Sequence, residues 1–131
     1  MSKSTLFICR SCHHSEQRAP EQPADGAVLC DRIQTLHQNW ARQSELEVQG
    51  VDWLWTCDRP CSIGLAGAHK PTYALANILV KDGNHSEMAE AVLQLSERYL
   101  DSKQGNIPWK QFPESLKTEF IARIPPSDLN L

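Results

Sequence analysis

The sequence lacks any long hydrophobic run. Only three consecutive apolar residues, Leu6 to Ile8, precede Cys9, which is too few for the core of a signal peptide or for a membrane span. We therefore expect the protein to remain in the cytoplasm and not to enter a membrane.

An excess of positive charge is also lacking. Lysine and arginine total 13 against 16 aspartate and glutamate residues, which gives a formal net charge of -3, and no basic run stands out. Nucleic-acid-binding surfaces normally show such basic clusters. We expect protein partners rather than nucleic acid.

Extreme composition is absent as well. Hydrophobic residues make up 40% and charged residues 22% of the 131 residues, which is ordinary for a folded protein and unlike a disordered chain. This length is close to that of one domain with its own core. We therefore predict a single domain over residues 1–131.

Cysteine, by contrast, is well represented. Five cysteines are present, and in a chain that stays in the reducing cytosol structural disulfides are disfavoured. Cys9 and Cys12 form one close pair, Cys57 and Cys61 form a second, and Cys30 stands alone. Two such pairs are typical of four ligands to one metal centre.

The cysteine pairs follow two predicted strands. Residues 5–9 are rich in β-forming residues and end at the first pair, and residues 46–55 form a second strand, with a bulge near Gly50, before the second pair. Two hydrophobic runs, residues 62–66 and 73–78, flank a turn and predict a β-hairpin.

Two amphipathic helices complete the predicted core. One begins near Asp25 as N-cap and the other near Ser86, and in each the apolar residues recur at helical spacing. The residues concerned are Leu29, Ile33, Leu36 and Trp40 in the first helix, and Met88, Val92, Leu95 and Tyr99 in the second.

The C-terminal segment, residues 105–131, contains four prolines. It leaves room for one short helix between Pro113 and Arg123, and we expect the segment to pack on the domain as an extension. The predicted class is α/β, with a mixed sheet of about four strands, two main helices and a short C-terminal helix.

A shared sheet edge would bring the four cysteines together. If the first two strands are parallel neighbours, the two cysteine loops emerge at the same edge. Four soft thiolates favour either an iron-sulfur centre or structural zinc. The second pair has three intervening residues, including Pro60, whereas structural zinc sites commonly use two intervening residues, so iron is preferred.

Several motifs resemble one known family. The segments that carry the resemblance are Cys57-Asp-Arg-Pro-Cys61-Ser-Ile-Gly-Leu, Lys70-Pro-Thr-Tyr73, Gly105-Asn-Ile-Pro108 and Ala122-Arg-Ile-Pro125. They resemble an uncharacterised bacterial family labelled predicted metal-binding proteins, which is similar to thioredoxin-like 2Fe-2S ferredoxins. Relatives often carry a cysteine where this chain has Trp53, and many thioredoxin-like ferredoxins space their first two cysteines more widely.

The resemblance implies a function and a ligand set. It implies a thioredoxin-like ferredoxin fold with a 2Fe-2S cluster held by Cys9, Cys12, Cys57 and Cys61. It further implies electron transfer or redox and metal handling, linked to cobalamin biosynthesis, with a redox partner protein and no enzymatic chemistry by the polypeptide. The chain could also pair with a second copy of itself.

Three other chemistries compete with the cluster. Cys9 and Cys12, followed by His13, match a covalent haem attachment signature, but such haem is normally attached outside the cytoplasm. The same two cysteines could act as a thioredoxin-like thiol oxidoreductase, which would leave the second pair without a role. A zinc-stabilised protein-interaction module is the third alternative.

The remaining candidate residues have simpler interpretations. Cys30, alone on the first helix, is expected to be a small buried apolar group. His13 and His14 could replace a cysteine ligand but are expected to be solvated. Arg10 and Arg59 could favour an anionic centre or be surface charges, and we assign no functional role to the aromatic side chains, Trp53, Trp55, Tyr73 and Trp109.

Overall fold

A computed structural model describes residues 3–13, 19–52, 54, 61–78, 84–117 and 120–126, and for residues 120 and 121 it describes the backbone alone. Its regular elements are β1 (Ser4–Cys9), α1 (Asp25–Gln38), β2 (Leu46–Val51), β3 (Ile63–Ala66), β4 (Thr72–Leu75), α2 (His85–Asp101) and β5 (Phe120–Ile124).

The strands form one mixed sheet in the order β2-β1-β3-β4-β5. β1 and β2 are parallel, in a register that places Cys9 beside Val51, and the remaining neighbours are antiparallel. The predictions of a mixed α/β fold, of parallel first strands and of a β3-β4 hairpin are therefore confirmed. The carboxyl ends of β1 and β2 meet at one edge of the sheet.

Side chains alternate along the strands because one sheet face is covered. Leu6 and Ile8 of β1 are fully buried, whereas Phe7 between them is half-buried. α1 packs on α2 and also contacts β1 and β2. Tyr99 of α2 joins the two layers, because its hydroxyl donates to the carbonyl of Pro71 at 2.6 Å and its ring meets Tyr73 edge-on.

Both predicted helices are confirmed, and their apolar faces form much of the core. Leu29, Ile33, Val92 and Leu95 are completely buried. The predicted face of α1 extends too far, however, since Leu36 is 37% exposed and Trp40 lies beyond the helix end.

The predicted caps are wrong. Asp25 is the first helical residue of α1, with Ala24 in the N-cap position, and α2 is preceded by Asn84 rather than begun at Ser86. Neither helix has a side-chain hydrogen bond from its N-cap. The carboxylate of Asp25 instead contacts two histidines, described below.

The second strand differs from its prediction. β2 ends at Val51 and pairs with β1 in unbroken register through Gly50, so the predicted bulge there is wrong. A register irregularity lies instead between Ala74 and Leu75, where β4 pairs with β5. Of the predicted extension of β2, residues 53 and 55 lie outside the described part of the chain.

The short helix predicted after Pro113 is present only as a single 3-10 turn. Trp109–Gln111 and Glu114–Leu116 form single 3-10 turns, and Phe120–Ile124 then forms a strand. β5 pairs with the edge of β4 and thereby satisfies backbone N–H and carbonyl groups that β4 would otherwise leave unpaired. The sheet therefore has five strands rather than four, and part of the C-terminal segment belongs to it.

No helix in the described part of the chain combines the length and the apolar character that a membrane span requires.

The start of α1 lies unusually close to the end of β1. The backbone N–H of Gly26 donates to the carbonyl of Cys12 at 2.8 Å. A Cβ atom at position 26 would lie 2.0 Å from the carbonyl oxygen of Cys9, which no relaxed structure allows. Glycine at this position therefore lets the helix approach the first cysteine loop.

We predict that Gly26→Ala lowers the free energy of unfolding by about 2–3 kcal/mol, the size expected when a core is overpacked. A loss of stability would point to the steric overlap, because alanine in place of glycine ordinarily stabilises a helix by roughly 0.5–1 kcal/mol. Chemical denaturation of the reduced, metal-free wild type and variant measures this change in the free energy of unfolding.

Gly64→Ala is the matched control, since a Cβ atom there would be no closer than 3.8 Å to its nearest neighbour. Gly64→Ala should raise the free energy of unfolding slightly, by up to roughly 1 kcal/mol. Equal stabilities for the two variants would contradict the proposed close approach.

Candidate functional site

Three of the four predicted ligand cysteines converge where β1 ends. Cys9 is the last residue of β1, Cys12 follows in the next loop, and Cys61 lies two residues before β3. The backbone N–H of Cys9 donates to the carbonyl of Ser62 at 3.1 Å, which brings the start of β3 beside the end of β1. All three cysteines are buried, and Cys61 is completely so.

Their sulfur atoms take part in one set of polar contacts. Cys12 Sγ lies 3.7 Å from the hydroxyl of Ser62, and the thiol of Cys61 donates to the carbonyl of Cys12 at 3.8 Å. Cys9 Sγ lies 3.4 Å from the hydroxyl of Ser11. Two of these three partners are hydroxyl groups, which can donate to a thiolate, and the third is a carbonyl that accepts from the Cys61 thiol.

Proton affinities differ sharply within the group. The hydrogen bond from Cys61 lowers the pKa of Cys12 from 9.0 to about 6, with help from Cys9 and Ser62 and against the effect of burial. The pKa of Cys61 moves far upward, first because its thiol donates to Cys12, then because of burial and nearby negative charge. Near neutral pH the metal-free site therefore pairs a Cys12 thiolate with a Cys61 thiol.

Backbone hydrogen bonds hold the loops that carry these cysteines. Arg10 N–H donates to Val51 at 2.8 Å, which ties the first loop to the end of β2. Cys61 and Ile78 exchange two hydrogen bonds of 3.0 Å, which extends the β3-β4 hairpin as far as Cys61. The positions of Cys9, Cys12 and Cys61 are therefore fixed by the sheet and by α1.

A buried carboxylate lies behind the first loop. Asp25 Oδ2 is 3.2 Å from Nδ1 of His13, and Oδ1 is 3.2 Å from Nε2 of His85. Asp25 also donates its backbone N–H to Nδ1 of His13 at 3.0 Å. One side chain thus connects the residue after Cys12 with the first residue of α2.

The donor chemistry of the site suits a soft metal, although the described residues do not complete a ligand set. Cys57 and Arg59 lie in residues 55–60, outside the described part of the chain. Among the residues that are described, no three Cys, His, Asp or Glu side chains form a group able to hold a metal ion. The three buried cysteines fit thiolate ligation in residue type, and the fourth ligand would come from Cys57.

Cys30 lies apart from this set. It is buried in α1, and its Sγ is 2.9 Å from the point where a Cβ atom of Gly50 would be. Burial raises the pKa of Cys30, and the charge of Arg10 only partly opposes this effect. The helix thus places this sulfur against β2, as a thiol rather than a thiolate.

Other candidate residues occupy different settings. Arg10 lies at the surface, 3.6 Å from the carboxylate of Asp52. Tyr73 is a core residue and Trp109 is 52% exposed. Three candidates lie outside the described residues: His14, Trp53 and Trp55.

Two site features were missed from the sequence. Asp25 was assigned only as a helix cap, and His85 was not singled out, although they are hydrogen-bonded across 60 positions of sequence. Ser62, next to Cys61, was treated as a strand residue, but its hydroxyl contacts Cys12. The Asp25-Gly26 dipeptide at a helix start was the one local sign that this turn is special.

We predict that Cys12 makes the metal-free, reduced protein more stable as pH rises from about 6 to about 9. In this range the folded protein has released the Cys12 proton while the unfolded chain still holds it, so stability increases with pH. Below about pH 6 this contribution is lost because both states are protonated.

Chemical denaturation of the wild-type protein and of Cys12→Ser at several pH values isolates the effect, since their difference cancels the titrating groups that do not interact with Cys12. As pH rises, the free energy of unfolding of the wild type should increase relative to that of Cys12→Ser. A difference that is constant over the whole range would contradict the lowered pKa of Cys12.

Comparison with known proteins identifies the family of this chain. No curated protein and no solved structure matches it. Residues 6–126 match a family model described as protein of unknown function, DUF1636. This match covers both helices, every cysteine from Cys9 to Cys61 and all strands except the first two residues of β1, so the chain belongs to the DUF1636 family.

Proposed function

We propose that this chain is a small iron-sulfur protein that binds a 2Fe-2S cluster through Cys9, Cys12, Cys57 and Cys61. Its role would be electron transfer or redox and metal handling, with a protein as redox partner and a link to cobalamin biosynthesis. The polypeptide itself would carry out no substrate chemistry. When bound, the cluster supplies one-electron redox chemistry.

One observation carries the proposal. Cys9 and Cys12 lie 49 or more positions before Cys61, yet the three are buried together within one set of hydrogen bonds. Simple core packing does not require three thiols to gather, since a buried thiol acts as an ordinary small apolar group. Cys57, four residues before Cys61, is close enough in sequence to supply the fourth ligand.

The element order supports a thioredoxin-like ferredoxin fold. A parallel β1-α1-β2 unit is followed by the antiparallel β3-β4 hairpin and then by α2. In the ferredoxins that the chain resembles, two cysteines follow the first strand and two more follow the second. The first pair here occupies the end of β1, and the second pair falls between β2 and β3.

The protein's own residues would prepare the ligands and shield them. Hydrogen bonds from Ser62 and Cys61 favour a thiolate at Cys12, which is the form that binds metal. Burial of the three cysteines keeps water away from their sulfur atoms. Arg10 belongs to the first loop, and its positive charge would offset part of the negative charge of a four-thiolate centre.

A thiol oxidoreductase is the second candidate, because the pKa of Cys12 is lowered to about 6. Such a thiolate would attack a substrate disulfide, release one substrate thiolate and form a mixed disulfide. A neighbouring cysteine would then attack the Cys12 sulfur, release the second substrate thiolate and leave a disulfide within the protein. The sequence suggested Cys9 as the partner of Cys12. The structure offers Cys61 as well, through its hydrogen bond to Cys12.

We predict that protein purified without oxygen is reddish-brown and contains about two irons and two sulfides per chain, as a 2Fe-2S core requires. Visible absorption with iron, sulfide and zinc analysis provides the measurement. Stoichiometric zinc without iron after anaerobic reconstitution would support the zinc-stabilised interaction module instead. Iron-free protein whose disulfide reductase activity depends on Cys12 would support the oxidoreductase.

We predict that Ser in place of Cys9, Cys12, Cys57 or Cys61 removes most of the iron, because a hydroxyl poorly replaces a soft thiolate ligand. Iron content and visible spectra of the single variants provide the test.

Cys30→Ser is the matched control, since it makes the same chemical change at a buried cysteine on α1. It should keep its iron while losing some stability. If Cys30→Ser abolished the centre and one of the four proposed ligands proved dispensable, the ligand assignment would be wrong.

A further inference from the structure

A largely apolar pocket of about 470 Å³ lies where β4 and β5 meet the segment after α2. Its volume is in the range of sites for small organic molecules. No cysteine is among its described lining residues, and the proposed iron-sulfur function makes no use of it. The lining consists of Tyr73, residues 106–109, Phe112 and Arg123.

Two contacts fix one wall of the pocket, residues 105–108, against β4. Gly105 has a φ of 74°, and a Cβ atom there would lie 2.7 Å from the Cβ atom of Lys70, so the backbone passes directly over that side chain. The N–H of Ile107 donates to the hydroxyl of Tyr73 at 2.9 Å. This wall is therefore held in place by the protein itself and needs no ligand to form.

Arg123 of β5 supplies the charge of the pocket. It pairs with Tyr73 in the β4-β5 register, and its guanidinium donates to the side-chain oxygen of Asn106. Because Asn106 is neutral, this bond leaves the positive charge of Arg123 without a counter-ion. With its oxygen occupied, Asn106 presents its NH2 group as a second donor beside the guanidinium.

Three aromatic rings form the apolar part of the pocket. Tyr73 and Phe112 are buried, with ring centres 6.3 Å apart. Trp109 lies 5.1 Å from Phe112, yet 52% of it is exposed. The ammonium of Lys117 lies 5.9 Å from the Trp109 ring and pairs with Glu114 at 3.1 Å. The exposed part of the indole thus offers a surface on which a planar ring can pack.

We propose that this pocket binds a small aromatic carboxylate. Its ring would pack against Trp109 and Phe112, and its carboxylate would accept hydrogen bonds from Arg123 and from the NH2 group of Asn106. A cationic ligand is disfavoured, because Arg123 carries the only formal charge among the described lining residues. The inference stands whether or not the chain binds iron.

The first test compares two probes of nearly equal shape, naphthoate and its uncharged amide, by titration of the full chain followed by NMR. Naphthoate should bind with a Kd on the order of 1 mM or tighter, which is ordinary for a ligand of this size. It should shift the signals of the Trp109 indole N–H and the Asn106 side-chain amide. The amide should bind about tenfold more weakly, because it lacks the charge that strengthens the hydrogen bonds.

Equal affinities for the two probes would overturn the role of Arg123. Absence of saturable naphthoate binding, or binding that shifts other signals and leaves those of Trp109 and Asn106 unchanged, would overturn the site itself.

The second test compares Arg123→Gln with Arg32→Gln, which makes the same change at an exposed position of α1. Arg123→Gln should weaken naphthoate binding about tenfold and leave the amide nearly unaffected, whereas Arg32→Gln should change neither. Trp109→Ala should weaken both probes, because it removes the packing surface. Both lining residues are exposed, so these variants should fold. Wild-type affinity for naphthoate in Arg123→Gln or in Trp109→Ala would overturn the inference.

A carboxyl-terminal aromatic residue of another protein carries the same two groups. The peptide Gly-Gly-Trp, with a free carboxyl terminus, tests this source in the same titration. Weaker binding of the peptide than of naphthoate would support a small molecule as the ligand. Tighter binding of the peptide would overturn that choice, because the pocket would then recognise a chain terminus.

Discussion

The close contact between the first turn of α1 and the end of β1 is the constraint on which the site depends. Gly26 allows this contact because any side chain there would overlap the carbonyl of Cys9, and its N–H then binds Cys12. The loop is thereby turned so that Cys12 meets Cys61 and Ser62. On the opposite side the same turn carries Asp25, which reaches both His13 and His85.

This arrangement concentrates negative charge in a place where water is scarce. Cys12 is held as a thiolate, and the neighbouring Cys61 keeps its proton partly because a second negative charge would be too costly. A bound cation would relieve that cost and allow the remaining thiols to ionise, since metal binding releases protons from its ligands. The resistance of Cys61 to ionisation thus describes the metal-free state.

Local patterns predicted the parts of the fold that depend on local interactions. The spacing of Leu29 and Ile33 was enough for α1, and the strand before Cys9 was enough for β1, because one buried face leaves a clear period in the sequence. β5 was missed because its pairing with β4 depends on contacts far away in the chain, and the prolines on either side suggested an irregular tail. The role of Asp25 was missed for the same reason, since His85 is distant in sequence.

The central claim is that buried cysteines gathered at the end of β1 are thiolate ligands to iron. Iron K-edge X-ray absorption of protein purified without oxygen tests it most directly, because the spectrum reports the atoms around the metal. The account predicts sulfur as the only near neighbour of iron, with a second iron just beyond. Oxygen or nitrogen in the first coordination sphere of iron, or a zinc K-edge signal from a sample that has no iron K-edge signal, would contradict it.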